Sequence, residues 1–322
     1  MINLNLSKCK GFVAHRSGWS FCMNALRPFH SKSGIFVDDF VERSFSWDMG
    51  EFHFGENPHK LPYKTDWIGF IHNPPNVPEW FDIYNSPQAI LSRDVFQQSL
   101  KSCKCLITLS NYLKDWLEPR VDVPLVSVKH PTEIPAKKWE PHKFMQNSRP
   151  PVIQIGYWLR KMEAILNLQT SYPYRKVWMP SNPNYGSKML SVYEKTQHEF
   201  WGKKYRWASV EFMEWLSNED YDNFLTSGIV FLDLYDASAN NAVVECIARN
   251  TPLLVNRIPS VVEYCGEDYP LYYDDLDHAA SLLQDKQNIF AAHEHFKKMD
   301  KRWLSGNYFA SEVMNSIEGV LK

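Results

Sequence analysis

The stretch ASANNAVVECIARNTPLLVN, residues 237–256, places two asparagines, Asn240 and Asn241, ahead of an apolar run that contains one acid, Glu245. Asparagine is a favoured helix N-cap, so AVVECIAR reads as a helix started by Asn240 or Asn241. Arg249-Asn250 can close it in a left-handed turn, and Pro252 precedes a strand, LLVN. Asn241 and Glu245 share one face with Val244 and Ala248 beside them, while Val243 and Ile247 turn toward a sheet. A carboxylate one turn above a helix N-terminus can accept two hydrogen bonds from a vicinal diol such as a ribose. It can equally serve only to complement the helix dipole.

A second group follows VIQIG (152–156), a buried strand ending on Gly156. YWLRKMEAILNL then reads as a helix with Arg160 and Lys161 at its start. Cations are disfavoured in a helix's first turn, so two of them there point to a bound anion held by free N–H groups. The plain alternative is a solvated pair of surface charges.

The first half offers Gly18, in the tight loop after GFVAH (11–15), and His72, at the end of the strand DWIGFIHN (66–73). Imidazole is a versatile hydrogen-bonding group and is often structural, but a strand end is where ligands are met. Asp38, Asp39 and Glu42 are candidate general bases for an acceptor hydroxyl. Asp275 and Asp277 have the spacing of a metal-binding pair. The surrounding YYDDLDHAASLLQ nevertheless reads better as strand, loop and Asp-capped helix.

These residues need a scaffold. With 322 residues the chain exceeds the usual single core, and two domains are expected. The first half alternates strands and helices: a helix over Trp19–Arg27 that Pro28 ends, a strand from Ile35, a helix over Ser86–Cys103 with Ser86 as N-cap, and strands at 104–110 and 124–130. Residues 131–151 hold five prolines and no apolar period, and read as a linker. The alternation resumes with strands at 152–156, 176–180, 209–213 and 228–234, a helix near Ser187–Phe200, and another opened by Ser217. Such β-α-β alternation implies mostly parallel, doubly wound sheets with helices on both faces, and binding loops at the strand C-termini.

Composition removes several classes. Lys and Arg number 35 against 37 Asp and Glu, and no segment collects five or six like charges, which argues against nucleic-acid binding by phosphate neutralisation. The six cysteines show neither C-x-x-C pairs nor the density of a secreted scaffold. No 18-residue apolar stretch is present, and MINLNLSKCK lacks the apolar core of a signal peptide, so the expectation is a soluble cytoplasmic protein without integral membrane association. Aromatic residues are abundant. Most belong in cores, but Trp19, Trp80 and Trp158 read as exposed enough to stack on flat ligands.

Residues 228–275 resemble the donor-binding region of GT-B glycosyltransferases, in particular the retaining GT4-like branch. The likeness lies in a strand, a polar loop, the run Glu245-Cys-Ile-Ala-Arg-Asn-Thr251-Pro252-Leu-Leu, and Val262-Glu263-Tyr264-Cys265-Gly266. CLITLS and VSVKHPTEIP are similar to segments that close the family's first domain. The resemblance implies two Rossmann-like doubly wound α/β domains facing a central cleft, residues 1–134 for the acceptor and 152–322 for the nucleotide sugar, with 135–151 linking them and the last helix crossing back.

It also implies roles. Glu245 corresponds to the second glutamate of the family's E-x7-E motif, which binds the ribose. Arg160 and Lys161 correspond to diphosphate-binding cations, Gly18 to the glycine of the first loop, and His72 to a histidine beside the transferred sugar. The first glutamate is replaced by Ala237, leaving Ser238, Asn240 and Asn241 to bond the donor. The implied activity is metal-independent, retaining transfer from a nucleotide-diphosphate sugar to a glycan or other hydroxyl acceptor, with no cofactor. A non-catalytic nucleotide-sugar or glycan binder, or an epimerase on the same fold, remains open.

Overall fold

The computed structural model describes residues 2–9, 18–47, 60–180, 209–214 and 216–321. It divides into two units, one of Met1–Glu133, Asp236–Val244 and Asp300–Lys322, the other of Ile134–Tyr235 and Glu245–Met299.

In the first unit β1 (Leu4–Asn5), β2 (Ile35–Asp38), β3 (Trp67–Ile71), β4 (Cys103–Thr108) and β5 (Leu125–Ser127) lie side by side in that order. All their pairings are parallel. β3 reads WIGFI and is buried along its whole length, as a parallel strand covered on both faces must be. Successive side chains alternate between two cores. Ile68 and Phe70 join the helix Trp19–Leu26 and the C-terminal helix Gly306–Leu321 on one face. Trp67 and Ile71 join Ile90, Phe96, Leu113 and Leu117 on the other.

Local chemistry accounts for most element ends. Ser86 Oγ accepts from Ala89 N at 3.2 Å, and Ser110 Oγ accepts from Leu113 N at 3.3 Å. The single helix expected over Ser86–Cys103 is instead two, Pro87–Leu91 and Asp94–Leu100. Between them Ser92 Oγ bonds back to Ala89 O at 2.9 Å, and Arg93 leaves helical geometry with ψ 122°. That back-bond is how a serine competes with the helix it sits in.

The second unit holds β6 (Pro151–Ile155), β7 (Arg175–Met179), β8 (Val210–Phe212), β9 (Ile229–Leu232), β10 (Leu253–Asn256) and β11 (Tyr272–Tyr273). Their order is β11-β10-β9-β6-β7-β8, again all parallel. This is the Rossmann order, reversing between β6 and β9, and ligands of such sheets bind outside the strand ends at the reversal. A ligand of this sheet would therefore meet the residues leaving those two strands, from Gly156 and from Asp233.

The proline-rich 131–151 stretch contains the helix Pro141–Gln146 and two buried aromatics, Trp139 and Phe144. Trp139 Nε1 donates to Gly228 O at 2.9 Å, which anchors the stretch. Asp275 caps the helix Leu276–Gln284 by accepting from His278 N at 2.8 Å. The strand expected at 11–15 and the helix near Ser187–Phe200 lie outside the described residues. Among the described residues no helix is long and apolar enough to cross a membrane.

Candidate functional site

Gly156 leaves β6 with φ +74°, a conformation that suits glycine. The chain does not then enter a helix. Residues 157–163 form a loop, and helix is confined to Ala164–Asn167. Arg160 and Lys161 thus lie in a loop, and the first-turn argument for an anion does not apply to them.

The reason is tertiary. Leu159 turns left-handed at φ 52° with its side chain buried, Tyr235 N donates to Leu159 O at 2.9 Å, and Lys161 N donates to Asp233 O at 2.8 Å. Bonds to the segment leaving β9 outweigh a good local helix propensity, which is worth only tenths of a kcal/mol per residue.

The loop brings the two cations to the switch point with different surroundings. Arg160 Nε donates to Ile155 O at 2.8 Å and Nη1 to Trp158 O at 2.5 Å. Burial draws its pKa down to about 10, against the favourable charge of Glu245. Lys161 Nζ is ion-paired to Asp233 Oδ1 at 2.8 Å, with the lysine side chain 41% exposed and the aspartate 8%. Burial raises the Asp233 pKa, and the lysine opposes that rise.

Glu245 sits on the helix Asn241–Arg249 as expected and is 6% exposed. Its Oε2 accepts from Tyr221 OH at 2.6 Å. One turn on, Arg249 is fully buried, donating from Nη1 to the Glu245 carbonyl at 3.1 Å and from Nε and Nη2 to Asp222 Oδ1 at 3.0 and 2.6 Å. The sequence hinted at this only through the four-residue spacing of Glu245 and Arg249. Tyr221 and Asp222, on the helix Asn218–Leu225, were not legible as partners.

The loop before the helix Asn241–Arg249 belongs to the first unit. Asp236 is buried, its Oδ2 accepting from Asn76 N at 2.9 Å and Tyr112 OH at 2.8 Å and its Oδ1 from Ala237 N at 2.8 Å. Ser238 Oγ lies 3.1 Å from Ser110 Oγ, and Asn240 Oδ1 accepts from Ala242 N at 3.1 Å, the capping role expected of it. Asn241 is half-buried at the first helical position. Asp236, next to Ala237, could have been suspected as a polar residue at the end of an apolar strand.

In the first unit Gly18 precedes the helix Trp19–Leu26, and Phe21 N donates to its carbonyl at 2.9 Å. Trp19 is buried, not exposed: it packs edge-on to Phe70 and His72, and its Nε1 donates to Asp39 Oδ2 at 3.2 Å. An apolar face and a single polar partner suit a tryptophan to such a site. Trp80 and Trp158 are half-buried.

His72 is gripped by one short segment of chain. Its Nε2 lies 3.0 Å from the Asp39 carbonyl oxygen, its ring stacks on Phe40 at 3.9 Å and 5°, and its backbone N donates to Glu42 Oε1 at 2.8 Å. A carbonyl can only accept, so Nε2 carries the proton and Nδ1 the lone pair. Burial draws the His72 pKa down to about 3, leaving it neutral and a poor base at neutral pH.

The three candidate bases are buried and engaged. Asp38 accepts from Phe40 N, Ser44 Oγ and Tyr63 OH at 3.2, 2.9 and 3.0 Å, Asp39 pairs with Arg43 at 2.7 Å, and Glu42 is wholly inaccessible. A base must reach its proton, and these do not reach the surface.

No family model matches the sequence, and no curated protein matches it. Solved structures do resemble it. HepE of Anabaena, in complex with UDP and glucose, matches with TM-score 0.65 at 8% identity, over 92% of this chain and 81% of that one. Sucrose-phosphate synthase from Thermosynechococcus elongatus gives 0.62 at 10% identity, over 89% and 73%. A UDP-forming trehalose-phosphate synthase from Burkholderia xenovorans gives 0.54 at 12%, over 94% and 78%. At such identities the shared property is the fold.

Proposed function

We propose that this chain, which has the GT-B fold, is a glycosyltransferase that takes a sugar from a nucleotide-diphosphate donor held by its second unit to a hydroxyl acceptor held by its first. The observation that carries this reading is that the loop with Arg160 leaves β6 and the buried Glu245 stands on the helix after β9, the two strands between which the sheet order reverses. A carboxylate for a ribose and a cation for phosphate, at the switch point of a Rossmann sheet, suit a nucleotide diphosphate. HepE, solved with UDP and glucose, and the UDP-forming trehalose-phosphate synthase on the same fold support that class of donor.

Breaking the anomeric C–O bond leaves negative charge on the diphosphate. Arg160, and Lys161 once it is shared between Asp233 and the phosphates, would stabilise that charge as it develops, and this preorganised electrostatics is the main source of rate. Two cations supply what a divalent metal otherwise would, so transfer is metal-independent in this reading. His72, neutral and with its Nδ1 lone pair free of the Asp39 bond, acts as a hydrogen-bond acceptor for a substrate hydroxyl and not as a proton shuttle. Retention follows the GT4-like resemblance of the Glu245 helix, with a glycan or glycoconjugate as acceptor.

One observation favours a second reading. Position 237 is alanine, and the adjacent Asp236 spends both carboxylate oxygens on internal hydrogen bonds. A chain with no free acid there suits a nucleotide-sugar binder without turnover. Incubation with a panel of nucleotide sugars and mass spectrometry separates the two: a transferase releases free nucleoside diphosphate, and a binder shows only a thermal shift. If Glu245→Ala leaves nucleotide affinity unchanged, the donor site is elsewhere.

A further inference from the structure

We propose that Tyr221 is a second ligand for the nucleotide ribose: the Glu245 carboxylate takes one hydroxyl of the diol and the Tyr221 phenol oxygen takes the other. This inference rests on the ribose-binding reading of Glu245.

Two helices are tied together at adjacent levels. At the lower level Asp222 Oδ1 accepts from Arg249 Nε and Nη2 at 3.0 and 2.6 Å, and Arg249 Nη1 holds the Glu245 carbonyl at 3.1 Å. At the upper level Tyr221, the residue before Asp222, donates to Glu245 Oε2 at 2.6 Å. Residues 245 and 249 stand one above the other on the same helix face, so the buried ion pair at one rung sets the register of the other. Arg249 also lies 5.7 Å from the Tyr221 ring centroid, which braces the ring itself. The buried Asp222–Arg249 pair thus fixes the helix that carries Tyr221 beside the one that carries Glu245.

Hydrogen-bond capacity then decides what the pair can do. A phenol has one donor and two acceptor lone pairs. The donor is committed to Glu245, and burial together with that carboxylate holds the Tyr221 pKa well above its ordinary value, so the proton stays. The oxygen remains an acceptor. Among the described residues Tyr221 is the sole hydrogen-bond donor to the Glu245 carboxylate. The two residues thus present neighbouring acceptor oxygens, Tyr221 Oη and the carboxylate, to a ligand that must bring two donors side by side. A vicinal diol does so, and a deoxyribose does not. Tyr221 remains half-buried and so open to contact, whereas Asp222 and Arg249 behind it are buried.

The test titrates the full chain calorimetrically with UDP, GDP, ADP and CDP, then takes the 2′-deoxy and 3′-deoxy forms of the tightest. Each is measured on the wild type, Tyr221→Phe and Glu245→Ala. Tyr221→Phe keeps the ring against Arg249 and removes one oxygen. The expected result is about tenfold weaker binding of the ribonucleotide by Tyr221→Phe, the value of one hydrogen bond near a charge. One of the two deoxy forms should bind Tyr221→Phe and wild type equally, because the hydroxyl that met the phenol is gone. That pattern does not arise from a general loosening of the site, which would weaken all three nucleotides by the same factor and overturn the inference. Full ribonucleotide affinity in Tyr221→Phe alongside a loss in Glu245→Ala would also overturn it, leaving the ribose reading intact. An unaffected Glu245→Ala, or no binding of any nucleotide, sinks the ribose reading and this inference with it.

Discussion

Replacing Glu42 by glutamine should make the protein more stable above neutral pH and leave it nearly unchanged in mild acid. Glu42 is fully buried, and its Oε1 accepts from the backbone N–H groups of His72 and Asn73 at 2.8 and 2.7 Å. Among the described residues its Oε2 has no hydrogen-bond partner. Burial raises the carboxyl from its ordinary 4.5 to about 7, against the lowering effect of the backbone N–H bonds. The folded chain therefore holds this proton more tightly than the unfolded chain, and stability falls as pH rises from about 4.5 to 7 and is level beyond.

At about 1.4 kcal/mol per pH unit, a rise from 4.5 to about 7 corresponds to about 3 kcal/mol lost at high pH. Glutamine keeps the carbonyl for the two backbone donors and places its amide where the protonated oxygen stood. It has no charge to desolvate. Urea unfolding followed at pH 5 and pH 8.5 should show the variant within about 1 kcal/mol of wild type at pH 5 and about 3 kcal/mol more stable at pH 8.5. Asp38, raised by burial to about 6, and His72, lowered to about 3, titrate in both proteins, so the difference reads position 42 together with its coupling to the Asp38 charge. Parallel pH profiles for the two proteins would refute the claim that Glu42 is buried against its charge.

Asp222→Ala should remove about 3 to 5 kcal/mol of stability, because it strands the fully buried Arg249 guanidinium without its counter-charge; chemical unfolding of the variant reads this directly. Gly156→Ala should lose about 1 to 2 kcal/mol from the left-handed backbone at φ +74°. Its new Cβ would stand 3.2 Å from Arg160 Cζ, so the same variant should also bind nucleoside diphosphate more weakly, measured by titration calorimetry.

Much of the scaffold was legible because its signals are local. WIGFI and IVFL are apolar throughout, as strands covered on both faces must be, and Ser86, Ser110, Ser217 and Asp275 each mark a helix start with an oxygen that bonds within three residues. Asn250, at φ 57°, ends the Glu245 helix in the left-handed turn that its position suggested. The loop of Arg160 and Lys161 was not legible. Its sequence is made of good helix formers, and only hydrogen bonds to Asp233 and Tyr235, more than seventy residues away, turn it aside.

The same division separates the site residues. Sequence alone determined that Glu245 stands on a helix after an apolar strand, since cap, period and terminator all lie within twenty residues. Only the tertiary structure decided that Tyr221 sits on that carboxylate, that Asp233 neutralises Lys161, and that Asp38, Asp39 and Glu42 are shut away from solvent. Desolvation and ion pairing depend on which distant segments cover a group, and the spacing of residues along a chain carries no record of that.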